Sequence, residues 1–176
     1  MSAICSQYPD YAVILISAIE GVTQTTKQHF HLALTLKLPI IILVTKVDLV
    51  EEEKFLHTRD SIKVFLKSPS ISRLNFVVKT KEDVTIAAKS FDENIVPILL
   101  ISNKTGSGLD LLKQLLHSLP PHNEWQTMIN DKAEFHITST DIVKNEPPVL
   151  LGVVYKGTIK LKQRMQIGPT NGGKFL

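Results

Sequence analysis

The chain has 176 residues, 43% hydrophobic and 21% charged, with a formal net charge of +3. That length allows one domain and a fraction of another, and the balance is that of a globular protein in water rather than a disordered or membrane-embedded one. A membrane span is excluded by composition, because the longest apolar run, Pro39 to Val44, falls far short of the roughly 20 residues a transmembrane helix needs. Cys5 is the only cysteine, so neither an intrachain disulfide nor a cysteine-based zinc cluster can form, which agrees with a reducing compartment. The N-terminus lacks the basic and apolar regions of a secretion signal, and a cytoplasmic address is the expectation. The mild positive charge does not by itself select a partner.

Between Tyr11 and Pro120, short apolar runs alternate with longer amphipathic ones, the pattern of βαβ units that build a parallel sheet. The expected fold class is α/β. Residues 11–16, 40–44 and 98–101 are near-continuous apolar runs, which suit strands covered on both faces, so all three are expected inside the sheet. A helix over 25–37 turns Phe30, Ala33, Leu34 and Leu38 toward the sheet, and Pro39 ends it. Glu51-Glu52-Glu53 opens the next helix with negative charge where the macrodipole favours it. Phe55, Ile62, Phe65 and Leu66 supply its apolar stripe, and Pro69 stops it. A short strand at 76–78 precedes a weakly periodic helix over 82–91. The last helix, 109–119, packs through Leu112, Leu115, Leu116 and Leu119 and ends at Pro120-Pro121.

That diproline marks a boundary. Residues 1–122 are assigned to the first domain, 123–132 to a polar linker and 133–176 to a second domain. In the second, Phe135-His136-Ile137 alternates with period two, and 149–151 and 153–155 are strand-like runs. Gly157, Gly168-Pro169 and Asn171-Gly172-Gly173 punctuate them as turns. About 45 residues are fewer than a closed barrel of ordinary strand number needs, so this is expected to be the start of a β domain.

Residues suited to chemistry gather where strands end. Thr45-Lys46-Val47-Asp48 follows the 40–44 strand, and open parallel sheets bind ligands beyond the carboxyl ends of their strands. An aspartate only accepts hydrogen bonds, which complements the ring N–H and exocyclic amine of guanine and mismatches adenine. Lys46 can lay its aliphatic stem over a base while its ammonium stays wet. Taken alone the tetrapeptide is weak, and a strand end with solvated charges is the simpler account of it. The 98–101 strand, however, ends in Ser102-Asn103-Lys104 and leads through Thr105-Gly106-Ser107-Gly108 into a helix. Two polar loops on one rim are what a purine site needs, with backbone N–H groups here able to donate to the guanine carbonyl oxygen. A helix N-terminus capped by Ser107 is the other reading, and the two roles can coexist.

Thr45-Lys46-Val47-Asp48 resembles the Asn/Thr-Lys-x-Asp guanine motif, and Ser102-Asn103-Lys104 the Ser-Ala-Lys type of loop, of GTPases. Pro9-Asp10-Tyr11-Ala12, Thr26-Lys27-Gln28-His29 and Leu32-Ala33-Leu34 narrow the likeness to the superfamily of elongation factor Tu and elongation factor 1-alpha, in its GTP-binding-protein-1-like branch. Past the linker, Ala133-Glu134-Phe135, Tyr155-Lys156-Gly157, Ile159-Lys160-Leu161 and Ile167-Gly168-Pro169 are similar to the family's β-barrel second domain, while Asn145-Glu146-Pro147-Pro148 stands where the family has a glycine-containing hairpin. The resemblance implies a P-loop GTPase fold in which Asp48 binds the base edge, Lys46 stacks on it, Thr45 braces the loop, and Ser102 and Asn103, beside Lys104, hold the guanine carbonyl. The implied ligand is GTP or GDP, and the implied parent hydrolyses GTP in a ribosome- or RNA-associated role.

A working GTPase also needs a glycine-rich phosphate loop, a lysine and a Ser/Thr on magnesium. None precedes Tyr11, nor do the family's switch threonine and Asp-x-x-Gly segment. The chain is therefore expected to be a piece lacking the phosphate-binding half, inactive by itself, with Mg2+ bound only in the intact parent. The alternative is a short interaction module that self-associates or recruits a partner through an incomplete sheet. Gly168 to Phe175 fits Gly-x4-Gly-Lys but ends in Phe and opens no helix, so it is read as a turn. His29 and His31 point to different helix faces and make poor co-ligands. Lys156, Lys160, Lys162 and Arg164 could touch RNA, although alternating solvated strand residues explain them as well. Cys5 has no evident histidine partner, and no nucleophilic site is expected.

Overall fold

The computed structural model describes residues 9–90, 94–121, 125–142, 147–170 and 172–175. Cys5 and the residue at the end of the 82–91 expectation lie outside them, as does the start of the Asn145–Pro148 segment. The chain divides into two compact units, one of Pro9–His122 and one that includes Asn123–Leu176.

In the first unit, β1 (Ala12–Ser17) leads to α1 (Gln24–Thr35), β2 (Ile40–Thr45), α2 (Glu52–Leu66), β3 (Leu74–Val77), α3 (Lys81–Lys89), β4 (Ile95–Leu100) and α4 (Leu109–Ser118). The four strands form one sheet in the order β1-β2-β4-β3, and every pairing is parallel. Helices bury the two faces separately. On one, Phe30 and Ala33 of α1 and Ile62 and Leu66 of α2 pack on Ile14, Ile16, Ile42, Val44 and Ile98. On the other, Val84 and Ala87 of α3 and Leu115 of α4 pack on Ile41, Leu43, Leu99 and Ile101. β2 thus supplies residues to both cores, which is why its run is unbroken.

β1 departs from expectation. It pairs with β2 alone among the described residues and stands at an edge of the sheet, with Leu15 63% exposed. An apolar run marks a strand that can be covered twice, and covering depends on neighbours that the run does not encode. Pro97 lies within β4 and is fully buried. The ladder between β2 and β4 starts only at Ile98, so the proline's missing N–H interrupts nothing on that side.

Helix ends also shift. α1 stops at Thr35, before Pro39 can act, because Lys37 turns left-handed at φ 55°. The N–H of Leu38 then bonds to Ala33 O at 3.0 Å, and that of Lys37 to Leu34 O at 3.0 Å, the paired bonds of a Schellman stop. α3 is better defined than its periodicity suggested. Thr80 accepts from the Asp83 N–H, while the Asp83 carboxylate accepts from the N–H groups of Thr80 and Lys79, both at 2.9 Å, a capping box that supports a short helix. In α4, Leu115 is buried and Leu112 and Leu119 flank it, but Leu116 lies on the exposed side.

The second unit contains a short helix, α5 (Trp125–Met128), and the antiparallel pair β5 (Glu134–Asp141) and β6 (Val149–Lys156). The two expected runs at 149–151 and 153–155 are one strand, continuous through Gly152. A Cβ on Gly152 would lie 2.1 Å from the His136 carbonyl oxygen, so only glycine lets the strands approach there. Near Gly168 to Phe175, Thr170 and Lys174 exchange contacts across a tight turn, with Thr170 N–H donating to Lys174 O at 2.8 Å. Lys174 is thereby part of the turn, and no helix follows it among the described residues.

Candidate functional site

β2 and β4 are parallel neighbours, with Val44 opposite Leu100, so the loops that follow them leave the same edge of the sheet. A direct bond holds them in register: the Ile101 N–H donates to Val44 O at 2.8 Å. On the other side of β2, the Ala18 N–H donates to Thr45 O at 2.9 Å. Thr45 is therefore fixed from the β1 side one residue before the turn begins.

The turn after β2 is built on Lys46, whose φ of 60° and ψ of 33° are left-handed. It caps a single 3-10 turn, Val47–Leu49, closed by the Leu49 N–H on Lys46 O at 3.1 Å. An L-residue with a side chain adopts this conformation at a cost of roughly 1 kcal/mol or more. Thr45 and Val47 are half-buried, whereas Lys46 and Asp48 are exposed. Neither Lys46 nor Asp48 enters a salt bridge among the described residues.

The loop after β4 is held from within. Ser102 is fully buried, its hydroxyl accepts from the Thr105 N–H at 3.1 Å, and its carbonyl accepts from the Gly106 N–H at 2.9 Å. The Ser102 side chain thus helps to shape the loop. Asn103 and Lys104 at its crest are exposed. Ser107 does not cap α4; that position belongs to Gly108, with φ 75° and no side-chain cap. A Cβ on Gly108 would lie 2.0 Å from Leu100 O. The loop therefore folds back onto the end of β4 only because this residue has no side chain. Sequence reasoning passed over Gly108, although a glycine directly before an apolar helical stripe was the available signal.

A cavity of about 320 Å³ lies beside β1 and is lined by Ser17, Glu20, Gly21, Thr23, Thr26 and His29 among others; neither loop contributes to it. The two histidines separate as expected, with His29 on that cavity and the His31 ring edge-on to Phe65. Among the described residues, no three His, Cys, Asp or Glu side chains gather as metal ligands, and no helix is long and apolar enough to cross a membrane.

Residues 2–121 match the profile of the elongation factor Tu GTP binding domain. The chain belongs to that family. Over 168 residues it is 34% identical to GTP-binding protein 1 of Xenopus laevis, a match covering 95% of this chain and 25% of that protein. Mouse GTP-binding protein 2 is likewise 34% identical, over 97% of this chain and 29% of its own length. The chain thus spans between a quarter and a third of these relatives. Translation elongation factor SelB from Methanococcus maripaludis, in its apo form, has the same fold: the TM-score is 0.62 at 23% identity, covering 92% of this chain and 31% of that one. The elongation factor Tu type of GTP-binding domain is accordingly the setting in which the β2 and β4 loops are to be understood. The second unit's antiparallel strands match the β-barrel-like region that follows such a domain.

Proposed function

We propose that the first unit recognises the guanine base of GTP or GDP between the β2 and β4 loops. Asp48 accepts from the ring N–H and exocyclic amine, Lys46 covers one face of the base with its stem, and backbone N–H groups around Asn103 and Lys104 donate to the carbonyl oxygen. Thr45 and Ser102 act as braces in this reading, since each is held by the chain around it. The observation that carries the proposal is the bond from Ile101 to Val44, which seats both loops on one rim. Family membership makes guanine the base to expect.

Calorimetry with GDP and ATP on the intact chain, beside Asp48→Asn, tests this. GDP should bind where ATP does not, and the substitution should weaken GDP by about tenfold or more, the loss of a charged hydrogen-bond acceptor. Equal GDP affinity in the two proteins would remove Asp48 from the site.

In the longer proteins of this family, the same unit would work with a phosphate loop and Mg2+ to hydrolyse GTP in a translation-related role. Residues 133–176 would begin their β-barrel second domain, joined by a linker over 123–132. The chain itself, carrying the guanine loops without a phosphate loop among its described residues, is expected to turn over no GTP. Magnesium-dependent phosphate release above that of the Asp48→Ala protein would contradict this.

A further inference from the structure

Two helices, α1 and α2, cover one face of the four-stranded sheet. α2 is tied to the residue after β1, where the Thr58 hydroxyl donates to Ala18 O at 3.0 Å, and to α1, where the Phe65 ring meets that of Phe30 edge-on at 5.2 Å. On its other side α2 packs toward β3. A cavity of about 180 Å³ opens there. Val44, Ile62 and Ile98, all buried, line it together with the half-buried Phe55, Val77 and Leu100. Its polar members are Asn75 and three cations, Arg59, Lys63 and Lys79. The nearest carboxylate to two of these is Asp60, whose Oδ1 lies 3.4 Å from both Arg59 Nε and Lys63 Nζ. It is not among the residues lining the cavity; the Asp83 carboxylate, which does not line it either, interacts with the charge of Lys79, and two carboxylates still leave the three cations with a positive balance.

We infer that this cavity is a docking site for an acidic protein segment that inserts one bulky apolar side chain. The volume decides against a cofactor, since sites for small molecules usually run to about 300–1,000 Å³. It suits a single leucine- or phenylalanine-sized anchor of the kind that dominates interface energetics. The cations decide the flanks: carboxylates on either side of the anchor meet Arg59, Lys63 and Lys79, which steers encounter and excludes basic segments. A nucleic acid strand would satisfy the cations but leave the apolar lining unused. The site shares no residue with the two loops of the nucleotide reading and stands or falls independently of it.

The test uses a panel of short acidic peptides, Asp/Glu on both sides of one variable residue, titrated into the intact chain and followed by amide chemical shifts. Peptides with central Phe or Leu should shift Val77, Leu100 and Arg59, and replacing the anchor by Ala should weaken binding by about tenfold. The double charge reversal Arg59→Glu and Lys63→Glu, on a partly exposed helix face, should abolish the response while the rest of the spectrum is unchanged. Val77→Phe, which fills the cavity from the edge strand, should do the same. No response to any anchor at millimolar peptide overturns the inference, as does equal binding of the Ala peptide. Equal or tighter binding of a single-stranded RNA at the same residues would also overturn it.

Discussion

Lys46 and Gly108 occupy left-handed backbone at the two ends of the same rim, but for different reasons. Gly108 is there because a side chain has no room. Placing a Cβ 2.0 Å from the Leu100 carbonyl forces the start of α4 away from β4. Gly108→Ala should therefore cost about 2–4 kcal/mol in denaturant unfolding and weaken GDP binding in parallel, since the Ser102–Lys104 loop moves with it. Unchanged stability would mean the close approach is not maintained in solution. Lys46 meets no comparable obstacle, and its strain stems from the turn that aims Asp48 outward. Of the six residues expected to serve the base, Ser102 is the one fully buried, and its hydroxyl accepts from the Thr105 N–H inside the loop. Its residue type alone did not show that internal partner.

Among the elements, the informative ones are those whose ends are set by chemistry rather than by apolar period. α1 ends at a left-handed lysine, Lys37, where glycine is the usual occupant. Lys37→Gly should raise stability by about 0.5–1 kcal/mol, read from the denaturant midpoint; a loss would show that the lysine side chain contributes more than its backbone strain costs. α3 shows the opposite case. Its apolar pattern is thin, but Thr80 and Asp83 close a capping box at its start. Backbone N–H bonds from Lys79 and then Thr80 hold the Asp83 carboxyl below its ordinary value. A depressed carboxylate stabilises the fold fully above its unfolded pKa and loses that contribution as pH falls through the folded one. The difference in thermal stability between the wild type and Asp83→Asn should thus be present at neutral pH and shrink as pH falls below about 4. A difference that persists unchanged to pH 2 would exclude the carboxylate as its source.

For the molecule as a whole, burial is uneven. β2 is buried from Ile40 to Val44, whereas β5 and β6 are half-buried or exposed along their described lengths. A two-stranded pair with so little apolar cover is marginal by itself, so amide exchange should be slowest in β2 and β4 and much faster in β5 and β6. Comparable protection in both units would require a source of stability for the second that its burial does not supply.

The sequence by itself determined the α/β class, the chain order of strands and helices, and the two polar loops, because apolar periodicity and the residues that end it are local properties. It also carried the family, through short motifs at strand ends. Tertiary structure alone decided that β1 lies at an edge, that Ser102 is buried with its hydroxyl bonded inside the loop, that Gly108 rather than Ser107 caps α4, and that a cation-rimmed gap opens beside α2. Each of these depends on which surfaces meet across the sheet, and a run of residues specifies what it can bury but not what arrives to bury it.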